Sequence, residues 1–197
     1  MKTPKKKTPV RRFDVFGRYV FYFVFGALVG WIYEMIYCPI VLGDPVFNRG
    51  FLLGPYLPIY GFGAVILMLI LGRLLKKRLM VWKINLMPVV IFVAIFFITT
   101  AFEYFSHWLI DWYFIPNGLV EQNLWDYSDD WLNINGRVHF RASLNFAIIG
   151  IVAMYGVIPV YEKIVMGLRK GARDRIVVVI LGVLGIDLVA TVLLAVL

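Results

Sequence analysis

The stretch LMPVVIFVAIFFITTAFEYFSHWLI, residues 86–110, decides the fold class of this protein. It exceeds the roughly 20 apolar residues that a helix needs to cross about 30 Å of hydrocarbon, and Glu103 is its only residue with a full charge at neutral pH. Further apolar stretches of spanning length occur at residues 19–37, 56–75, 138–160 and 176–197. The sequence therefore predicts an all-α, polytopic transmembrane helical bundle with five spans.

The composition excludes most soluble protein classes. Of the 197 residues, 61% are hydrophobic and 16% are charged, and the mean hydropathy is +0.82, whereas soluble domains are closer to half apolar and a quarter charged. A water-soluble globule of this size cannot bury that much apolar surface. The net charge of the chain is +8. Its excess basic residues lie beside the apolar runs, where interaction with lipid headgroups accounts for them, so we expect no nucleic-acid role. The one cysteine, Cys38, cannot form an internal disulfide, and we expect no cofactor.

The distribution of basic residues sets the predicted orientation. Of the 20 Lys and Arg residues, 17 lie in three segments, residues 1–18, 73–83 and 161–175. Short loops rich in Lys and Arg stay on the cytoplasmic side, so the N terminus is predicted inside and the C terminus outside. Residues 1–18 would form a basic cytoplasmic tail and residues 19–197 a single transmembrane domain with outer loops at residues 38–55 and 111–137. The first apolar stretch is too long for a signal peptide and lacks an Ala-x-Ala site, so we expect an uncleaved anchor.

The first four spans contain a weak internal repeat. Spans one and three each carry a glutamate in the outer half, Glu34 or Glu103, and an Asn/Gly/Arg cluster leads into span two (residues 48–50) and into span four (residues 133–137). A parallel duplication of a two-helix hairpin would produce this pattern. Two short chance matches would produce it as well.

The first outer loop ends in an apolar segment. Residues 46–60, VFNRGFLLGPYLPIY, mix apolar side chains with Gly50, Gly54, Pro55 and Pro58. One interpretation is that the segment dips back into the membrane, where broken backbone is tolerated against protein or water. The other is a tight interfacial turn with a proline at the helix start.

Charged residues inside the predicted spans indicate the candidate site. Each raises the free energy of membrane insertion by about 2.5–3.5 kcal/mol, and such a residue usually faces the bundle interior or a cavity. The candidates near the outer ends of spans one to four are Glu34, Asn48, Arg49, Glu103, Arg137 and Arg141. Opposite charges at one depth should pair. The sequence leaves open whether these residues form a buried ionic lock that fixes helix order or a polar cavity open to the outside.

A weaker candidate set lies on one face of span three, where Glu103, His107 and Asp111 are spaced four residues apart. Carboxylates and imidazole bind zinc and also act as general acids and bases. The three residues extend over about 12 Å, so a metal site would need help from another helix, for instance from His139. A histidine near the membrane interface is more commonly a hydrogen-bonded amphipathic residue. We therefore treat these four residues as weak metal candidates and assign no catalytic residue.

Asp187 lies in the middle of span five, shortly after Gly182 and Gly185. Hydrocarbon cannot solvate its charge, so we predict a helix-packing contact, permitted by the glycines and made within the chain or across an oligomer interface, in which Asp187 hydrogen-bonds a polar group. A proton relay is the alternative.

The second outer loop contains the string WDYS at residues 125–128. Its aromatic residues fit an interfacial aromatic belt. A lid over the polar cavity is the alternative interpretation.

Three strings together resemble a bacterial membrane-protein family. They are NRGFLLGPYLPIYGFGA at residues 48–64, WDYS at residues 125–128 and NINGRVHFRASLNF at residues 133–146. Over residues 19–165 the chain is similar to the family named Putative ABC-transporter type IV, or CmpB-like, whose members are described as ABC transporter permeases. The resemblance implies a multi-pass protein of the bacterial cytoplasmic membrane with a role in transport, and it carries over no catalytic residues.

The leading functional hypothesis is a transport component or small-molecule binding protein with an outward-facing polar site between spans one to four. The alternatives are a membrane-embedded enzyme acting on a lipid or phosphorylated headgroup, and a non-catalytic assembly factor. The sequence contains no phosphate-binding loop or hydrolase motif, so ATP-driven transport would require a separate ATPase subunit. The expected partners are the lipid bilayer, further copies of the chain in a homo-oligomer, and such an ATPase.

Overall fold

A computed structural model describes residues 12–43, 50, 52–118 and 125–196. This part of the chain is predominantly helical. The α-helices are α1 (Arg12–Tyr37), α2 (Pro58–Leu71), α3 (Met87–Leu109), α4 (Phe140–Val152), α5 (Ile158–Gly167) and α6 (Lys170–Val196). The strands form two antiparallel hairpins, β1 (Met80–Val81) with β2 (Ile84–Asn85), and β3 (Asn133–Ile134) with β4 (Val138–His139).

Wide π-helical turns extend three of the helices. Such turns prolong α1 over Cys38–Leu42 and α3 over Ile110–Phe114, and a third, Ala153–Val157, joins α4 to α5. Helices long and apolar enough to cross a membrane therefore cover Asp14–Ile40, Met87–Phe114, Phe140–Gly167 and Lys170–Leu194. The prediction of an all-α membrane bundle is confirmed.

The observed structure differs from the prediction at the second span. Instead of a span over residues 56–75, the structure has α2, which contains 14 residues and is therefore only about 21 Å long. Pro58 begins the helix, and Leu57 before it is extended. The Leu57 N–H donates a hydrogen bond to the Ala27 carbonyl at 3.0 Å, and Ala27 lies halfway along the first span. The chain thus enters α2 at mid-membrane depth, which favours the dipping segment over the interfacial turn.

The helices pack in the pairs that the two predicted hairpins require. Helix α1 packs mainly on α2, and α3 packs mainly on α4. The largest buried cluster joins the pairs, because it contains Ile91 and Ile95 of α3 together with Ala147 of α4 and Leu71 of α2. The pairing is compatible with the proposed duplication, which stays a prediction.

Glycines on α1 allow the close approach of α2. A Cβ atom at Gly26 would lie 2.6 Å from the Ala64 Cβ and 2.7 Å from the Tyr60 carbonyl oxygen, and one at Gly30 would lie 2.2 Å from the Tyr60 ring. These distances are shorter than van der Waals contact. The small-residue motif of span one therefore serves helix packing, as small residues commonly do in membranes.

We expect Gly26→Ala to separate α1 from α2 and to lower the free energy of unfolding by about 1–3 kcal/mol, the usual cost of overpacking a tight contact. Thermal unfolding in detergent measures the change. Gly182→Ala is the matched control, because no heavy atom of the described chain lies within 4 Å of a Cβ atom there. Equal losses for the two variants would contradict the packing role of Gly26.

Candidate functional site

Two glutamates lie in the C-terminal halves of their helices, α1 and α3. Glu103 of α3 is only 7% exposed, and its Oε1 accepts a hydrogen bond from the Tyr127 hydroxyl at 3.2 Å. Its Oε2 is buried and has no hydrogen-bond partner within the described part of the chain. Glu34 of α1 accepts hydrogen bonds from the Tyr60 hydroxyl and from Cys38 Sγ at 2.9 Å. The two carboxylates are close enough for their charges to repel.

The predicted pairing of these glutamates with arginine is not found among the described residues. Arg137 binds Asp111 instead, through Nε at 3.2 Å and Nη2 at 3.0 Å. Arg137 lies in the β3–β4 turn, so its side chain reaches the C-terminal end of the third span, about 12 Å beyond Glu103. Arg141 is exposed and forms no salt bridge within the described ranges. Asn48 and Arg49 lie outside the described residues, so their predicted role stays a prediction.

Tyr104 supports Arg137 from α3. Its hydroxyl accepts a hydrogen bond from Arg137 Nη1 at 3.2 Å, and the guanidinium lies over its ring at 5.4 Å from the centroid. These hydrogen bonds to Tyr104 and Asp111 raise the pKa of Arg137 above its usual value. The arginine therefore remains charged and fixes the position of the turn that carries it.

His107 is engaged at both ring nitrogens. Nε2 lies 3.0 Å from the Trp125 carbonyl oxygen, and Nδ1 lies 3.2 Å from Asp111 Oδ2. A carbonyl oxygen only accepts, so Nε2 carries a hydrogen, and Asp111 links His107 to Arg137. Neither ring nitrogen is left for a metal ion.

The other weak metal candidate, His139, is also engaged elsewhere. Its Nδ1 lies 3.5 Å from Asp130 Oδ2, and its ring stacks on Tyr127 with the centroids 4.2 Å apart. Burial lowers the pKa of His139, the charge of Asp130 opposes this effect, and that of Arg141 adds to it. No group of three His, Cys, Asp or Glu residues in the described chain is arranged to hold a metal ion. The geometry favours a hydrogen-bonding role for both histidines.

The WDYS segment (Trp125–Ser128) is held against the β3–β4 turn. Trp125 Nε1 donates to the Arg137 carbonyl at 3.0 Å, and the Tyr127 N–H donates to the Gly136 carbonyl at 2.8 Å. Gly136 has φ +69°, and a Cβ atom there would lie 2.4 Å from Ser128 Oγ, so only glycine fits. The turn thereby directs the Tyr127 side chain inward.

Tyr127 covers Glu103 from the outer side. Burial, followed by the charge of Glu103, raises the pKa of the Tyr127 hydroxyl, which therefore remains a hydrogen-bond donor. Trp131, in contrast, is 75% exposed, as an aromatic belt residue would be. The aromatic belt and the lid over the polar cluster, which the sequence left as alternatives, both stay predictions.

Asp187 of α6 binds the segment that precedes α2. Its carboxylate accepts hydrogen bonds from the N–H groups of Leu53 at 3.1 Å and Gly54 at 3.0 Å, and also from the Tyr56 hydroxyl. The predicted hydrogen bond to a polar group is confirmed. The predicted helix contact at Gly182 and Gly185 is not made within the described chain, because nothing lies within 4 Å of a Cβ atom at either position, and the contact across an oligomer interface stays a prediction. Asp187 contacts a non-helical segment, which does not require small residues on α6.

The sequence interpretation missed two tyrosines that complete the polar cluster. Tyr60 binds Glu34, and Tyr104 binds Arg137. Tyr60 lies in the PIYG string, which could have indicated it. Tyr104 follows Glu103 directly, in an aromatic stretch that gave no such signal.

These features define a polytopic α-helical membrane protein with a closed polar cluster near its predicted outer face. The chain belongs to the family described as Putative ABC-transporter type IV, whose sequence profile matches residues 21–192. It is therefore a membrane, transport-related protein, and the matched range includes Asp187, which lay beyond the resemblance at residues 19–165. The chain matches no curated protein and no solved structure.

Proposed function

We propose that this protein is a membrane transport component whose ligand site is the Glu34–Glu103 pair, reached from the outside when the WDYS segment moves. The observation that carries the proposal is Glu103 itself. It is 93% shielded from solvent, and its Oε2 has no partner among the described residues. The outer loop covers it through Tyr127.

A buried carboxylate oxygen without a hydrogen-bond partner does not stabilise the fold. Leaving such a group unsatisfied costs about 1–3 kcal/mol, and more when it is charged, and the neighbouring Glu34 adds repulsion. Intramembrane acids of this kind usually mark a ligand or ion pathway. A ligand that supplies a positive charge or hydrogen-bond donors would satisfy both glutamates.

The lid can move without unwinding a transmembrane helix. The WDYS segment lies outside the helices and is attached by three hydrogen bonds. These join the Trp125 carbonyl to the His107 ring, the Trp125 ring N–H to the Arg137 carbonyl and the Tyr127 hydroxyl to Glu103. A backbone hydrogen bond from the Tyr127 N–H to the Gly136 carbonyl also joins the segment to the β3–β4 turn, and of these bonds only those to His107 and Glu103 attach it to a transmembrane helix. Breaking them would expose the glutamates while α3 and α4 remain packed.

The proposal includes the predicted orientation, a homo-oligomer and a separate ATPase subunit on the cytoplasmic side. The enzyme alternative gains no support, because the ring nitrogens of His107 are both engaged. We also infer a bacterial cytoplasmic membrane location from family membership.

Cysteine labelling of intact cells tests the site and the orientation together. In a Cys38→Ser background, Ser128→Cys should react with a membrane-impermeant thiol reagent, whereas Lys77→Cys should not. Glu103→Cys should react slowly, and Tyr127→Ala in the same chain should accelerate its reaction by about tenfold or more, because removing the ring that covers position 103 takes away about 1.5 kcal/mol or more of burial.

Phe97→Cys is the matched control on α3. Phe97 is exposed on the apolar surface of that helix, so its reaction should stay slow with or without the Tyr127 substitution. An unchanged rate at Glu103→Cys would refute the lid. Labelling of Lys77→Cys from outside would refute the orientation.

A further inference from the structure

The connection between α2 and α3 has an unusual local structure. It is the β1–β2 hairpin, in which Met80 pairs with Asn85 and Val81 pairs with Ile84. The two turn residues, Trp82 and Lys83, have φ of +50° and +68°. Two-residue turns with positive φ normally contain asparagine or glycine, and a bulky residue there is disfavoured.

The hairpin is held firmly at its base. Asn85 Oδ1 accepts hydrogen bonds from the N–H groups of Leu79 at 3.1 Å and Met87 at 3.2 Å, and the Leu86 N–H donates to the Leu79 carbonyl at 2.8 Å. The base is therefore joined to the first turn of α3. Backbone strain that the surroundings hold in place commonly accompanies function.

The tip of the hairpin displays apolar side chains that the described chain does not cover. Trp82 is 93% exposed and Ile84 is 63% exposed, and Met80 and Val81 are exposed as well. In water this arrangement would be costly, because burying a side chain of this size is worth about 1.5–3 kcal/mol. An exposed apolar patch on a rigid support indicates a surface that binds something.

The charges around the tip indicate what it binds. The flanking cations are Arg73, Lys76, Lys77, Arg78 and Lys83, and residues 72–102 contain no acidic residue. The hairpin also joins the inner ends of two membrane helices under the predicted orientation, which places it at the level of the cytoplasmic headgroups. Tryptophan and basic residues are enriched together at that level, and anionic lipids attract such clusters.

We propose that the β1–β2 hairpin is a membrane anchor that inserts Trp82 and its apolar neighbours into the inner leaflet and binds anionic lipid headgroups through Arg78 and Lys83. The anchor serves α2, which is too short to span the bilayer and enters at mid-depth. With Leu57 bound to Ala27 above and the hairpin bound to lipid below, the depth of α2 is fixed. Tyr60 of α2, which binds Glu34, is thereby fixed as well.

A spin label at Met80→Cys, in a Cys38→Ser background, tests the anchor in the full-length protein. The protein is reconstituted into vesicles of phosphatidylcholine with or without phosphatidylglycerol, and the accessibility of the label to oxygen and to a water-soluble nickel chelate is measured. With phosphatidylglycerol, the label should be accessible to oxygen and shielded from nickel. Replacing Arg78 and Lys83 with alanine should lower the ratio of inserted to water-exposed label about fivefold for each charge lost.

Two further variants complete the test. Trp82→Ala should shift the label toward water in both lipid mixtures, since it removes the largest apolar side chain of the tip. A label at Arg169→Cys, in the connection between α5 and α6, is the control and should be nickel-accessible in every vesicle. A Met80 label that is equally nickel-accessible in both mixtures would overturn the proposal. A label shielded from oxygen as well as nickel would also overturn it, because a protein partner rather than lipid would then cover the hairpin.

Discussion

Asp187→Ala is expected to release the segment before α2 and to lower the free energy of unfolding by about 3 kcal/mol or more, because two backbone N–H groups lose their acceptor at membrane depth. These groups belong to Leu53 and Gly54, and the Tyr56 hydroxyl loses the same partner. Thermal unfolding in detergent measures the loss. A cysteine at Tyr56 in the Cys38→Ser background should also become accessible to thiol reagents when Asp187 is replaced.

Asp187→Asn separates the hydrogen-bonding role from proton transfer. Asparagine keeps one acceptor oxygen but turns an N–H₂ group toward one of the donors, so we expect a loss between those of the wild type and the alanine variant. Asp174→Ala, near the N-terminal end of α6, is the control and should leave stability within about 0.5 kcal/mol, as most surface substitutions do. If Asp187→Asn kept full stability and removed a pH-dependent activity, the proton relay would replace the hydrogen-bonding role.

The sequence predicts the helical spans well because the bilayer leaves few alternatives. Backbone groups exposed to hydrocarbon must be satisfied inside their own segment, so a long apolar run such as residues 86–110 has to be helical wherever it faces lipid. The prediction failed at residues 56–75, where hydropathy continues through Pro55 and Pro58 although the helix begins only at Pro58. Hydropathy measures transfer to lipid and carries no information on whether the backbone is helical.

The candidate site was predicted in part. Charge inside spans correctly indicated that Asp187 is bound by another part of the chain rather than by lipid, whereas one oxygen of Glu103 has no partner among the described residues. The prediction that Arg137 pairs with a glutamate of the spans was wrong, because Arg137 binds Asp111. Asp111 and Glu103 lie on one helical face and are separated only by two turns, so the sequence pattern does not distinguish them. The donors to Asp187 could not be predicted at all, because they are backbone groups of Leu53 and Gly54, and every residue except proline has such a group.

Glu103→Gln should raise the stability of the protein while it removes function. The amide oxygen can still accept from Tyr127, and the repulsion between Glu103 and Glu34 disappears. We expect a gain of about 1–2 kcal/mol, because a neutral amide costs less to bury than a carboxylate, measured as a higher thermal unfolding temperature. Residues kept for function commonly show this exchange of activity for stability.

Glu162→Gln provides the comparison, because Glu162 also binds a tyrosine, Tyr22, and has Arg18 at 4.0 Å. That carboxylate is matched by a cation, so its neutral replacement should lower stability or leave it unchanged. If Glu103→Gln were destabilising to the same degree as Glu162→Gln, Glu103 would be a paired structural acid, with Arg49 as the predicted partner. The buried ionic lock would then be the better description of the cluster. A gain in stability for Glu103→Gln alone would instead show that the Glu103 carboxylate lowers the stability of the fold. A ligand with positive charge or hydrogen-bond donors would then supply the partner that this carboxylate lacks.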